Sequence, residues 1–142
     1  MEKLQDPDAF SESARLVKEG KPSKKLLCFL QKHLNCTQDV EIFSCLQAHM
    51  SPAGICSKGD ICVFKGKPLK FCQVWLHVKL DSTILSMVSM WDILEIDECG
   101  CHALCKKKDD AMFVETHTIA TTTSFMNFKN NLYKVIIPFQ WR

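Results

Sequence analysis

Residues 71–80 read FCQVWLHVKL, and this stretch decides which fold class the chain is assigned to. The even positions carry Cys, Val, Leu, Val and Leu, whereas the odd positions carry Phe, Gln, Trp, His and Lys. Successive side chains of a strand point to opposite faces of a sheet, so this alternation predicts a strand with one buried face and one mixed face. We therefore expect the second half of the chain to be built from β-strands.

Other segments of the second half also have the character of strands. A Gly-Asp pair at 59–60 opens a short predicted strand, and the Gly-Lys-Pro sequence at 66–68 predicts a turn after it. Short strands with frequent turns are typical of a small barrel or sandwich. The further predicted strands span residues 61–64, 84–90, 112–119 and 132–137, and Pro138 ends the last of them.

The first half of the chain has the spacing of helices instead. A first helix is predicted over residues 6–20, with an Asp-Pro pair at its start and a glycine at its end. Ser23 is a suitable N-cap for a second helix, and a third is predicted over residues 37–50. The second helix has a wide apolar stripe that must pack on another element. The stripe consists of Leu26, Leu27, Phe29, Leu30 and Leu34.

Together these patterns predict an α+β fold in which N-terminal helices pack against a small, mostly antiparallel β barrel or sandwich. The helical region is placed at residues 1–55 and the barrel-like region at residues 56–142, and we expect the two to form one compact unit. A chain of 142 residues is long enough to build one such core.

Composition and charge limit the classes of function. The net charge of +2 gives no strong field toward nucleic acid or a membrane surface. No run approaches the roughly 18 apolar residues of a membrane span, so no membrane partner is expected. The first 21 residues are polar and charged, so no signal peptide is expected. The chain is therefore expected in the nucleus or cytoplasm, where its nine cysteines should stay reduced.

The segment DECGCHALCKKKDD, residues 97–110, concentrates three cysteines and a histidine. Structural zinc takes four ligands, usually as two chelating pairs, and the neighbours Cys101 and His102 are poorly placed to bind one ion together. We therefore expect an exposed hairpin or loop with reduced thiols and no cofactor. If zinc is nevertheless bound, the ligands to test first are Cys99, Cys101, Cys105 and His117.

A thiol-dependent enzyme is one alternative for the function of this chain. A reactive cysteine needs a lowered thiol pKa near positive charge, and Cys105 directly precedes the lysines at 106–108. Any of the five histidines can pair with a thiol, but no catalytic signature surrounds a candidate nucleophile. The sequence therefore predicts a protein that is not an enzyme.

Aromatic and basic residues supply a candidate face for a ligand or partner. Its members are Trp75, His77, Trp91, Lys106, Lys107 and Lys108. A nucleic-acid partner stays open as an alternative, because basic side chains beside exposed aromatic rings bind single strands, as in oligonucleotide-binding small barrels. Lys65, Lys67 and Lys70, which flank the strand of Trp75, fit that alternative.

The order of segments from residue 58 to residue 137 resembles a bromo-adjacent homology (BAH) domain or a related small chromatin-type β module. The sequences KGDICVF, CQVWLHVKL, SMVSMW and MFVETHTIATTTSFMNFKNNLYKVI carry the resemblance. The cysteine cluster and a shorter middle depart from the family's pattern. The resemblance implies a non-catalytic protein-interaction or adaptor module in nuclear or chromatin-associated complexes, with a protein as its partner.

Overall fold

The computed structural model describes residues 14–35, 41–50 and 54–142, and most of these residues belong to antiparallel strands. Within this part of the chain there is one α-helix, α1 (Lys24–Leu34). The strands are β1 (Arg15–Leu16), β2 (Ile42–Cys45), β3 (Gln47–Met50), β4 (Gly54–Ser57), β5 (Ile61–Phe64), β6 (Phe71–Leu80), β7 (Thr83–Ile96), β8 (His102–Lys106), β9 (Ala111–Glu115), β10 (Ile119–Thr123), β11 (Phe125–Lys129) and β12 (Leu132–Ile136).

The predicted α+β class, with several N-terminal helices against a barrel, is wrong. The second predicted helix forms as α1, and Ser23 caps it by accepting a hydrogen bond from the Leu26 N–H at 3.2 Å. Residues 42–50 of the third predicted helix form β2 and β3 instead. The first predicted helix ends in β1 rather than in a helical turn, and its residues 6–13 lie outside the described part of the chain.

Pairing with distant strands explains why residues 42–50 are not helical. Ile42 is the partner of Leu80 and Cys45 is the partner of His77 in the antiparallel β2–β6 ladder. β3 pairs with both β1 and β4 in a separate three-stranded sheet. The local preference for a helix is worth only tenths of a kcal/mol per residue, so the burial and hydrogen bonds gained in these ladders outweigh it.

The long hairpin of β6 and β7 is the centre of the larger sheet. β6 covers residues 71–80, as predicted, and β7 extends well beyond the predicted 84–90. Leu80 pairs with Thr83, and Asp81 between them has a φ of 57°, which suits the tight turn of a two-residue hairpin. Each outer edge of this hairpin pairs with two short strands: β5 and β2 along β6, and β9 and β8 along β7.

A β-bulge at Trp75 changes the side to which β6 presents its residues. Val74 pairs with Val88, but the next pair joins Leu76 to Met87, so one extra residue lies in β6. The alternation read from the sequence therefore reverses after the bulge. As a result His77, which falls on the mixed face in the sequence pattern, is completely buried.

The sheet curls but does not close into the predicted barrel. Among the described residues, its order is β10-β5-β6-β7-β8-β12-β11, so β10 and β11 are its two end strands. Ser124 alone joins them in sequence, and its C=O accepts a hydrogen bond from the Ile136 N–H at 2.9 Å. No ladder in this part of the chain pairs β10 with β11.

Two hydrophobic cores lie on opposite faces of the curled sheet. β5 contributes to both, since Cys62 packs into the first core while Ile61 and Val63 pack into the second. The first core also includes Met50 of β3, so the small sheet covers it. The second core takes its residues mainly from β5, β6, β7, β8 and β12, and it includes Trp91.

The helix α1 belongs to the packed structure through its apolar stripe. Leu30 is completely buried, and the Phe29 ring lies 5.4 Å from the Phe113 ring of β9. No described helix is both long and apolar enough to cross a bilayer.

Candidate functional site

The six residues predicted as a partner face are not brought together on one surface. His77 is completely buried and Trp91 is 4% exposed. Trp75 is half-buried, and its indole N–H donates to the Ser89 hydroxyl at 2.6 Å. The lysines at 106–108 lie at and beyond the end of β8, and Lys108 Nζ is 3.1 Å from Asp92 Oδ2.

His77 is part of a buried hydrogen-bond chain. Its Nε2 lies 3.1 Å from the Cys56 carbonyl oxygen, and its Nδ1 lies 2.8 Å from the Ser86 hydroxyl, which is 2.7 Å from the Thr116 hydroxyl. A carbonyl oxygen only accepts, so Nε2–H donates to Cys56, and in the neutral imidazole Nδ1 accepts from Ser86. Both ring nitrogens are thus used internally, and this residue ties together β4, β6 and β7.

The cysteine-rich segment forms a hairpin between β7 and β8, as predicted, and the carboxylate of Asp97 organises its turn. Asp97 Oδ1 accepts hydrogen bonds from the backbone N–H groups of Cys101 at 2.8 Å and His102 at 3.1 Å. Its Oδ2 lies 3.1 Å from His102 Nδ1. Hydrogen bonds from His102 and Cys101 lower the pKa of Asp97 to about 2. The turn is therefore held by a carboxylate that stays ionised across the physiological range.

The four conditional zinc ligands do not converge. Cys99 is exposed, Cys105 is buried, and His117 Nε2 lies 2.7 Å from Glu115 Oε2. In the described ranges, no three His, Cys, Asp or Glu side chains are arranged so that they can hold one metal ion.

Cys105 and Cys56 do not have the surroundings of an activated nucleophile. Burial raises the pKa of Cys105 to about 12, so this residue does not match the reactive thiol suggested by its neighbouring lysines. A hydrogen bond with Cys62 and burial raise the pKa of the Cys56 thiol, and the nearby His77 imidazole opposes them only in part. The Cys56 and Cys62 sulfur atoms are 3.4 Å apart and unbridged.

An exposed apolar strand, which the sequence analysis did not single out, lies at the edge of the larger sheet. β11 pairs with β12 on one side and, within residues 14–35, 41–50 and 54–142, with no strand on the other. All five of its residues are exposed, including Phe125, Met126 at 62% and Phe128 at 49%. Long exposed apolar edges are rare in proteins that have no partner for them.

An aromatic cluster packs against Phe125 of β11. The Trp91 ring lies 4.9 Å from the Tyr133 ring and 5.9 Å from the Phe125 ring, the latter in an edge-on arrangement. Trp91 is thus connected to the surface through Phe125, although it is itself buried. Because Phe125 is held by this packing, β11 is a preorganised edge.

The charged side chains of β11, β12 and the residues that follow them are all basic. Residues 116–142 contain no Asp or Glu, but they include Lys129, Lys134 and Arg142. Lys134 Nζ lies 4.9 Å from the centre of the Phe128 ring. Lys106 lies in the β8 ladder opposite Leu132 of β12, so one residue of the predicted partner face does border this region.

A concave surface, here called the lysine groove, has a volume of about 630 Å³. It lies between the β5–β6 connection and β9. Its lining includes Phe64, Lys65, Lys67, Pro68, Lys70, Met90, Met112, Val114, His117 and Thr118. The three lysines singled out in the sequence as flanking the Trp75 strand therefore do share one site.

Two signals in the sequence point toward β11. The segment FMNFK at 125–129 carries three large apolar residues between polar neighbours, and the chain has no acidic residue after Glu115. Neither signal shows that the segment is an edge, because that depends on which strand pairs beside it.

Searches of family models, curated proteins and solved structures gave no match to the chain.

Proposed function

We propose that this chain is a non-catalytic protein-interaction module that binds an extended, acidic and apolar segment of a partner protein along β11. The observation that carries the proposal is an edge strand that has three exposed large apolar side chains and, among the described strands, no neighbour on its outer side. Adding a strand to a sheet edge is a common mode of peptide recognition, in which main-chain hydrogen bonds supply affinity and side-chain contacts supply specificity.

The backbone of β11 offers hydrogen-bonding groups to such a segment. The Ile136 N–H donates to Ser124 C=O, and Met126 pairs with Lys134 two residues further along. Hydrogen-bonded pairs alternate with non-hydrogen-bonded pairs in an antiparallel ladder, so the N–H and C=O groups of Phe125 and Asn127 face the open edge. An incoming strand would pair with these groups.

The side chains favour a partner with apolar and acidic residues. Met126 and Phe128 present apolar surface, and Lys129 and Lys134 lie beside them. Residues 116–142 contain no Asp or Glu side chain. Acidic side chains on the incoming strand would meet complementary charge across or beside the ladder. The resemblance to BAH modules supports the same non-catalytic class, and the nuclear setting of that family belongs to this proposal as well.

A proline substitution tests the edge directly. Asn127→Pro removes the N–H that faces the open edge but leaves the β12 ladder intact, because proline is tolerated on edge strands. Binding of a short labelled peptide that alternates Glu with Val is measured by fluorescence anisotropy. We expect Asn127→Pro to weaken binding at least about tenfold, as for a lost recognition hydrogen bond and its neighbours.

Asn127→Ala is the matched control, since it loses the same side chain but keeps the backbone N–H. It should bind the acidic peptide like the unaltered protein, and both variants should keep the same melting temperature. A peptide that alternates Lys with Val should bind much more weakly. Equal affinities of Asn127→Pro and Asn127→Ala, or no preference for the acidic peptide, would refute the proposal.

The thiol-enzyme alternative finds no support at the residues that it requires, since Cys105 and Cys56 are buried and their pKa values are raised. The nucleic-acid alternative has one observation in its favour, the three lysines of the lysine groove. The rings beside them are few, because Phe64 and His117 are the aromatic residues of its lining.

A further inference from the structure

The lysine groove contains a buried ammonium group that lacks a partner. Lys65 Nζ is inaccessible to solvent and has no hydrogen-bond partner in the part of the chain that the structure describes. The Lys65 N–H donates to Thr118 C=O at 2.9 Å, which fixes the backbone from which the side chain extends. Burying a charge without a counter-charge or hydrogen bonds is costly, and an anion beside it removes most of that cost.

The other polar residues of the lysine groove also favour an anion. Lys67, Lys70 and His117 line it together with Lys65, and no carboxylate is among its lining residues. Glu115 lies next to the groove and its Oε2 is 2.7 Å from His117 Nε2. Among the residues that the structure describes, the histidine is the one basic group of the groove with an acidic partner. The three lysines therefore leave a net positive potential over the groove.

The remaining lining is apolar and adaptable. Phe64, Met90, Met112 and Val114 provide most of it, and Met112 is 45% exposed. Methionine side chains adjust to irregular apolar shapes. A volume of about 630 Å³ falls within the range of small-molecule sites, which is about 300–1,000 Å³.

We infer that the lysine groove binds a small amphiphile. The Lys65 ammonium group, which is covered in the ligand-free structure, turns into the groove to pair with the single anionic head group, and the apolar body of the ligand lies against Met90, Met112 and Val114. The site shares no residue with β11, so it is a second binding function rather than part of the proposed protein interface. A carboxylate and a phosphate monoester have the required head-group chemistry, since both accept charge-assisted hydrogen bonds from an ammonium group.

Calorimetric titration with decanoate below its micellar concentration tests the site. Decanoate should bind the full chain with one-to-one stoichiometry and raise its melting temperature, whereas decyltrimethylammonium of equal chain length should do neither. Octyl phosphate in place of decanoate distinguishes the two head groups, and binding of either one supports the inference. Inorganic phosphate alone should bind far more weakly, because it lacks the apolar body.

Lys65→Met removes the charge but retains an unbranched apolar side chain. It should lower the affinity for decanoate at least about tenfold, the scale of a lost charge-assisted hydrogen bond. It should also raise the melting temperature of the ligand-free protein, since the unpaired buried charge is gone. Lys32→Met, which removes an exposed lysine of α1 outside the groove, is the matched control and should change neither quantity.

Met112→Ser tests the apolar part independently, because Met112 is partly exposed and its loss should spare the fold. It should weaken decanoate binding and leave inorganic phosphate binding unchanged. The inference is overturned if decanoate does not saturate, or if Lys65→Met and Lys32→Met bind it equally. It is also overturned if a single-stranded oligonucleotide or the alternating Glu-Val peptide displaces decanoate and binds more tightly through Lys65.

Discussion

The carboxylate of Asp97 accepts two backbone hydrogen bonds within a turn that contains Cys99 and Cys101, and a third contact comes from His102. The side chain of this aspartate fixes the backbone of the turn, as Asp side chains commonly do. The depressed pKa of Asp97 means that its contribution to stability is present above the ordinary carboxyl pKa of 3.8 and is lost as the pH falls toward 2.

Cys105 makes the stability of the fold depend on pH in the alkaline range, as Asp97 does in the acidic range. Its pKa rises from 9.0 to about 12 through burial, so the unfolded chain loses this proton at a lower pH than the folded protein does. The stability that the buried thiol contributes is fully present below pH 9 and declines as the pH rises from 9 to about 12. We predict that Cys105→Ala shows a shallower alkaline decline in the free energy of unfolding, measured by urea denaturation at several pH values.

Cys99→Ala is the control for that measurement, because Cys99 is exposed on the same hairpin. It should follow the pH dependence of the unaltered protein. Iodoacetamide added to the native protein should likewise modify Cys99 well before Cys105. Rapid native-state labelling of Cys105, or identical alkaline profiles for all three proteins, would contradict the raised pKa.

At the scale of elements, α1 was predictable because its signals are local. Ser23 supplies the cap, and the leucine spacing supplies a stripe that packs inward at Leu30. The segment at 42–50 has comparable helical spacing but forms two strands. Its partners, such as Leu80 for Ile42, are almost forty positions away in the sequence, where no local pattern refers to them.

Leu30→Ala tests whether α1 is integral to the fold. Leu30 is completely buried, so its truncation removes apolar burial and leaves a cavity. We expect the free energy of unfolding to fall by about 2–5 kcal/mol, measured by chemical denaturation. Lys32→Ala, at an exposed position of the same helix, should change it by less than about 0.5 kcal/mol. A Leu30→Ala protein as stable as the Lys32→Ala protein would show that α1 is only loosely attached.

At the scale of the whole molecule, the N-terminal strands complete a core and a sheet that are built mainly from the second half of the chain. Met50 packs into the first core, and β2 covers the edge of β6 from His77 to Leu80. We predict that a chain restricted to residues 54–142 melts at a lower temperature than the full chain. The loss of local stability should be greatest at residues 77–80, the half of β6 that β2 covers in the full chain.

Hydrogen exchange locates that loss. In the shortened chain, amide protection should fall at residues 77–80, which lose β2, and persist at residues 71–73, which still pair with β5. The β8–β12 ladder serves as an internal control because it pairs with none of the three deleted strands, β1, β2 and β3. A shortened chain with full stability and unchanged protection would mean that residues 54–142 form an independent domain.

The sequence by itself determined those features that depend on neighbours a few positions apart: the strand at 71–80, the helix after Ser23 and the hairpin around Gly100. Only the tertiary structure decided the pairing of β2 and β3, the burial of His77 behind the bulge at Trp75, the open edge at β11 and the partnerless ammonium of Lys65. The physical reason is range. Periodicity and capping act within a turn or a strand, whereas pairing, exposure and the environment of a charge depend on segments that folding brings together from distant parts of the chain.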